Sequence, residues 1–164
     1  MFLIINCIIG CNCKKTAVDN MQKHTSINMN DCLADAKCTF ETYIDSALLI
    51  EIDEATQKPY YTIKPQKGTT VYRYEMSENM DPQYTDGGYR EEIIFQLPSD
   101  FKEGIIDGKD LLNTKALFGV FCYCKGKAGY YTIEEGTIAK TKSSIHVEIP
   151  ALVEGQKVRV ISVQ

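Results

Sequence analysis

The chain has 164 residues, of which 44% are hydrophobic and 24% charged; that suits one folded domain with an extension and excludes wholesale disorder. Eighteen Lys and Arg against 22 Asp and Glu give a net charge of -4, which argues against a nucleic-acid binder relying on a basic field. No apolar run reaches the roughly 18 residues of a membrane-spanning helix.

Residues 1–10, Met1 to Gly10, are apolar apart from Asn6 and stop at Cys11-Asn-Cys-Lys-Lys15. A short apolar run ending in a small residue has the shape of a signal peptide's hydrophobic region, although no Lys or Arg precedes it here. Its last four residues, Ile8-Ile9-Gly10-Cys11, resemble the lipobox of bacterial lipoproteins. The resemblance covers 11 residues and carries no information about the body. It implies cleavage before Cys11, whose thiol takes a diacylglycerol, because only a sulfur nucleophile accepts the lipid and only a small residue fits the peptidase before it. It also implies an envelope location, membrane contact through the lipid, and an oxidising compartment. The competing reading makes residues 2–9 a buried first strand, since Phe, Leu and Ile suit one.

Residues 11–38 are polar without a sustained period and read as a tether; about 20 such residues as coil span roughly 25 Å. Within it Cys32–Lys37 suits a short helix that Asp31 would cap.

Residues 39–164 are strand-rich. Ser46–Ile52 and Tyr60–Ile63 flank a loop at Asp53–Pro59; Thr69–Met76 alternates, placing Val71 on the face opposite Tyr72 and Tyr74. Ser77–Gly88 reads as a long loop through its Asp-Pro and Asp-Gly-Gly breakers, and Arg90–Leu97 is a strand ended by Pro98. One helical turn fits Asp110–Lys115. Leu117–Cys124 then turns through Lys125–Gly129 into Tyr130–Ile133, with Gly136 as a bulge or turn before Thr137–Lys140. In Ser144–Ile149 the residues Ile145, Val147 and Ile149 alternate with Ser144, His146 and Glu148, and Lys157–Val163 is the last strand. About eight strands without crossover helices predict an all-β, antiparallel β-sandwich, with a small β-barrel as the alternative.

Of seven cysteines, Cys7 would leave with the signal and Cys11 would carry lipid. Cys32, Cys38, Cys122 and Cys124 are the expected disulfide formers. In an extended strand Cys122 and Cys124 would sit roughly 6.5–7 Å apart with parallel Cβ vectors. That geometry favours bridges from Cys32 and Cys38 to the Cys122/Cys124 segment, in either arrangement, and ranks Cys32–Cys38 with Cys122–Cys124 last. Neither C-x5-C nor C-x-C matches a zinc knuckle, so a metal is the weaker expectation.

Catalytic signatures are thin. His24 lies in the tether. His146 shares a strand face with Ser144 and Glu148, but neighbours roughly 7 Å apart along a strand do not make a triad. Cys122 or Cys124 with His146 lacks a local signature, and Glu78, Asp81 and Asp86 lack calcium-loop ordering. Glu91/Glu92 and Glu134/Glu135 are adjacent, so on strands they would point to opposite faces. Ten tyrosines, among them Tyr72, Tyr74, Tyr84, Tyr89, Tyr123, Tyr130 and Tyr131, suit strands and equally a binding surface. No cofactor is expected. The resulting expectation is a lipid-anchored envelope module that binds another envelope protein or a small ligand, without catalysis and without nucleic acid. The alternatives are a barrel carrying a small apolar ligand and an envelope thiol enzyme using Cys122 or Cys124.

Overall fold

The computed structural model describes residues 23–26, 32–79 and 88–164, and among these the chain forms ten strands and one 3-10 helix. Six strands make the larger sheet: β1 (Lys23–Ser26), β2 (Ala36–Ile52), β3 (Pro59–Glu78), β4 (Arg90–Pro98), β6 (Leu117–Phe121) and β7 (Gly129–Thr132), in the order β1-β2-β3-β4-β6-β7. Four make the smaller: β5 (Gly104–Asp107), β8 (Thr137–Lys140), β9 (Ile145–Glu148) and β10 (Val160–Val163), in the order β10-β9-β8-β5. All pairings are antiparallel. The two sheets stay separate, so the fold is a β-sandwich and the barrel alternative is corrected.

Alternation builds the core. Ile145, Val147 and Ile149 point inward from β9 and its end, while Tyr74, Met76, Ile93, Phe95 and Leu97 supply the facing surface. Tyr72 stacks between Phe40 and Phe95, with ring centroids 6.1 and 5.3 Å away. Val71, on the opposite face as its position requires, belongs to a second cluster with Leu48, Ile94 and Leu117.

That second cluster exists because the β2–β3 hairpin bends. Register jumps between Ile44 and Ser46, where Asp45 takes φ 50° and Gly68 φ 81°, and the Asp45 carboxylate accepts the Gly68 N–H at 3.2 Å. Beyond the bulge the hairpin lies across the outer face of its own sheet. Leu48 N–H donates to Gln96 Oε1 at 2.7 Å, and Lys115 Nζ donates to the Leu48 carbonyl at 2.6 Å. The arm's turn is closed by Asp53, whose Oδ1 accepts the N–H groups of Ala55 and Thr56.

Three local expectations change. Cys32–Lys37 is not helical: Ala34 and Asp35 form a turn, with Ala36 N–H donating to Leu33 O at 3.0 Å, and β2 starts at Ala36. Strand pairing also reaches into residues 11–38, where Lys23–Ser26 pairs with Phe40–Tyr43. β6 stops at Phe121, so Cys122–Cys124 is bent chain, not strand. The helical turn before β6 is a 3-10 helix at Gly108–Thr114. The Ser77–Gly88 loop and the segments 1–10 and 11–22 lie largely or wholly outside the described residues.

Candidate functional site

The cysteines pair locally. Cys32 joins Cys38 with Cα atoms 5.8 Å apart, and Cys122 joins Cys124 at 5.1 Å. This is the pairing ranked last by sequence, and the bridges expected between the two segments do not form. The reason is backbone shape. A turn brings Cys32 back beside the start of β2, and the bend after Phe121 shortens the Cys122–Cys124 span below that of a strand. The two bridges differ in setting. Tyr74, itself buried, donates its hydroxyl to Cys38 Sγ at 3.2 Å, so the first bridge leans on the core. The second heads the β6–β7 loop beside Tyr123, which is 98% exposed, in an open hollow of about 490 Å³ that Lys125 completes. Cys11 lies outside the described residues.

Glu92 is a buried acid held by three side-chain donors. From β4 it faces outward, under the folded-back arm, and is 1% exposed. Its Oε1 accepts the hydroxyls of Tyr61 at 2.8 Å and Tyr130 at 2.9 Å; its Oε2 accepts Arg73 Nε at 2.8 Å. Arg73 further pairs with Glu41 and Glu75, and Glu75 accepts Arg90 Nη1 at 3.2 Å. Burial, then the Glu92 charge, push both tyrosine hydroxyls well above their ordinary value. Burial, the largest single influence, opposes the Arg73 charge, but Glu92, Tyr61 and Tyr43 together outweigh it and hold the guanidinium protonated. Through these bonds the network ties the arm's Tyr61 to β4 and β7, while its outer members Arg73, Glu75 and Arg90 remain partly exposed.

Glu91, next along β4, points the other way, as adjacent strand residues must. It is fully buried and accepts the N–H groups of Lys157 at 2.7 Å and Val158 at 2.6 Å, together with the Tyr89 hydroxyl. It ties the segment before β10 to the larger sheet. Glu134 and Glu135 lie exposed between β7 and β8.

His146 has neither Ser144 nor Glu148 as its partner. Its Nδ1 lies 2.9 Å from Ser162 Oγ on the neighbouring β10, while Ser144 Oγ meets Thr141 Oγ1 at 2.7 Å. Sequence inspection along one strand misses Ser162, because the partner comes from across the ladder. The pair sits on an exposed sheet face, and among the described residues no acid is hydrogen-bonded to it. Among the described residues no group of three His, Cys, Asp or Glu is placed to hold a metal ion, and no helix is long and apolar enough to cross a membrane. Asp81, Asp86 and Tyr84 lie outside the described residues; Glu78 pairs with Lys157.

Most of the tyrosines serve construction. Tyr72 and Tyr74 are in the core, Tyr61 and Tyr130 bind Glu92, and Tyr131 lies under Lys58 Nζ, 4.4 Å from the ring centroid. Among the described residues Tyr60 and, far more so, Tyr123 are exposed. No family model, curated protein or solved structure matches the chain.

Proposed function

We propose that the protein is a lipid-anchored binding or interaction module of the bacterial envelope, acting on another envelope protein or a small ligand and not as a catalyst. The observation that carries this is the tetrad Ile8-Ile9-Gly10-Cys11 closing an apolar run. The polar stretch behind it gives the domain reach from a membrane surface. Two cysteine pairs at bonding distance suit an oxidising compartment, and the buried acids Glu91 and Glu92 are each held by three donors of this chain.

The test is to express the full chain in a bacterium supplied with labelled palmitate. The protein should partition into detergent and carry label, and Cys11→Ala should lose both. Label retained in that variant, or an unlabelled wild-type protein in the aqueous phase, would refute the reading.

A further inference from the structure

We infer that Cys122–Cys124 is a thiol–disulfide exchange site whose substrate is the dithiol of a partner protein. Four features of the structure carry this. The bridge closes a ring across a single intervening residue, with a sequence separation of 2, so it restricts the unfolded chain less than a longer loop would. It lies beyond the end of β6, at the head of a loop, where Tyr123 is 98% exposed and offers an apolar contact for an incoming chain. Lys125, exposed in the turn that follows, lines the same hollow as both cysteines and adds positive charge to it, which favours a leaving thiolate there. Finally, the loop is held without the bridge: Lys58 Nζ donates to the carbonyls of Gly126, Lys127 and Ala128 at 3.2, 3.2 and 2.7 Å, and Val120 pairs with Gly129 below. The domain therefore keeps its fold in both redox states, as an exchanging pair requires.

The exchange balances within the two proteins. One partner thiolate attacks one Sγ; a mixed disulfide forms, the Cys122–Cys124 bond breaks, and the other cysteine leaves as a thiolate that takes up a proton. The partner's second thiolate then attacks its own sulfur in the mixed disulfide and releases the remaining cysteine. Two electrons pass from the partner to Cys122 and Cys124, and the partner's two protons end on these thiols. The partner leaves with a disulfide. The exchange is stoichiometric, one partner dithiol oxidised per bridge, so it adds to the binding role without making the domain a catalyst, and it does not depend on the lipid anchor.

Two measurements test it on the full chain. Protein isolated oxidised is equilibrated with graded dithiothreitol, alkylated and mapped. Cys122 and Cys124 should become labelled at a reductant concentration at least about tenfold below that for Cys32 and Cys38, while unfolding stays cooperative. A synthetic peptide carrying two thiols should then be oxidised one for one as Cys122–Cys124 is reduced. The Cys122→Ser/Cys124→Ser double variant should leave that peptide reduced. Simultaneous reduction of the two bridges, later reduction of Cys122–Cys124, free thiols at both positions in the isolated protein, or equal peptide oxidation by the double variant would each overturn the proposal. The reductant titration needs no variant, so it stands even if the substitutions disturb folding.

Discussion

Glu92 is a charge taken out of water, and its three donors decide whether that is tolerable. Removing one donor leaves a buried carboxylate under-satisfied, which costs about 1.5–3 kcal/mol for a hydrogen bond to a charged group. Tyr61→Phe and Tyr130→Phe should each lower the unfolding free energy by that order, seen as a lower urea midpoint at unchanged slope. Gly119 bears on the same site, because β6 passes directly beneath the Tyr130 ring. A Cβ there would lie 2.5 Å from the ring's Cε1 and 2.9 Å from Phe121, closer than side chains tolerate. Gly119→Ala should therefore push Tyr130 off Glu92, at a cost of about 1–3 kcal/mol for the overpacking alone. A melting temperature equal to wild type would contradict it. The tyrosines also give a pH dependence with a fixed sign. Their hydroxyl pKa values are raised in the folded protein from 10.0, so above pH 10 the unfolded chain sheds protons that the folded chain keeps. The unfolded state then binds fewer protons, and stability must fall as pH rises. Urea midpoints from pH 9 to 11 should decline less steeply in the Tyr61→Phe/Tyr130→Phe variant than in wild type.

Two elements show what pattern alone reveals and what it hides. In β9 the strict alternation of Ile145, Val147 and Ile149 with exposed partners reads correctly, because one face is buried and one is wet. In the β2–β3 hairpin the alternation is interrupted at Asp45 and around Gly68, so the sequence reads as separate short strands flanking loops. The chain is in fact continuous through a bulge, and the Asp45 carboxylate on Gly68 N–H is a contact between positions 23 apart. Cys122-Tyr-Cys124 misleads in the opposite direction. Apolar residues extend the β6 pattern, yet the ladder ends at Phe121. The Glu92 network is legible only as two acids on opposite faces; its members come from β2, β3, β4 and β7 and meet through pairing that no single segment encodes. Glu91 makes a comparable link at the element scale, holding the approach to β10 through two backbone N–H groups. Glu91→Gln should weaken both bonds and speed hydrogen exchange at Lys157 and Val158 well before the β4 amides. Uniform acceleration across both sheets would indicate global destabilisation instead.

At the scale of the whole molecule, local disulfides change what holds the N-terminal region to the domain. Bridges spanning 85–90 residues would have contributed about 4–5 kcal/mol by constraining the unfolded chain, whereas the ring of Cys32–Cys38 spans seven residues and contributes about 2 kcal/mol in the same model. Attachment of the region before Cys32 therefore rests, among the described residues, on β1, whose four residues pair with Phe40–Tyr43 at the edge of the larger sheet. The described core begins later: Phe40 is its first buried hydrophobic residue, and the rest run from Ala47 to Val163. A four-residue edge strand adds backbone pairing to β2. A fragment spanning residues 32–164 should consequently unfold in one cooperative transition, with a urea slope close to that of the full chain because slope follows the area exposed. Its midpoint should fall only modestly. The uncovered edge of β2 is the foreseeable cost, since an unpaired strand invites association, and sedimentation of the fragment at rising concentration would report it. A fragment that melts gradually, or whose slope falls far below that of the full chain, would mean that residues before Cys32 contribute to the core.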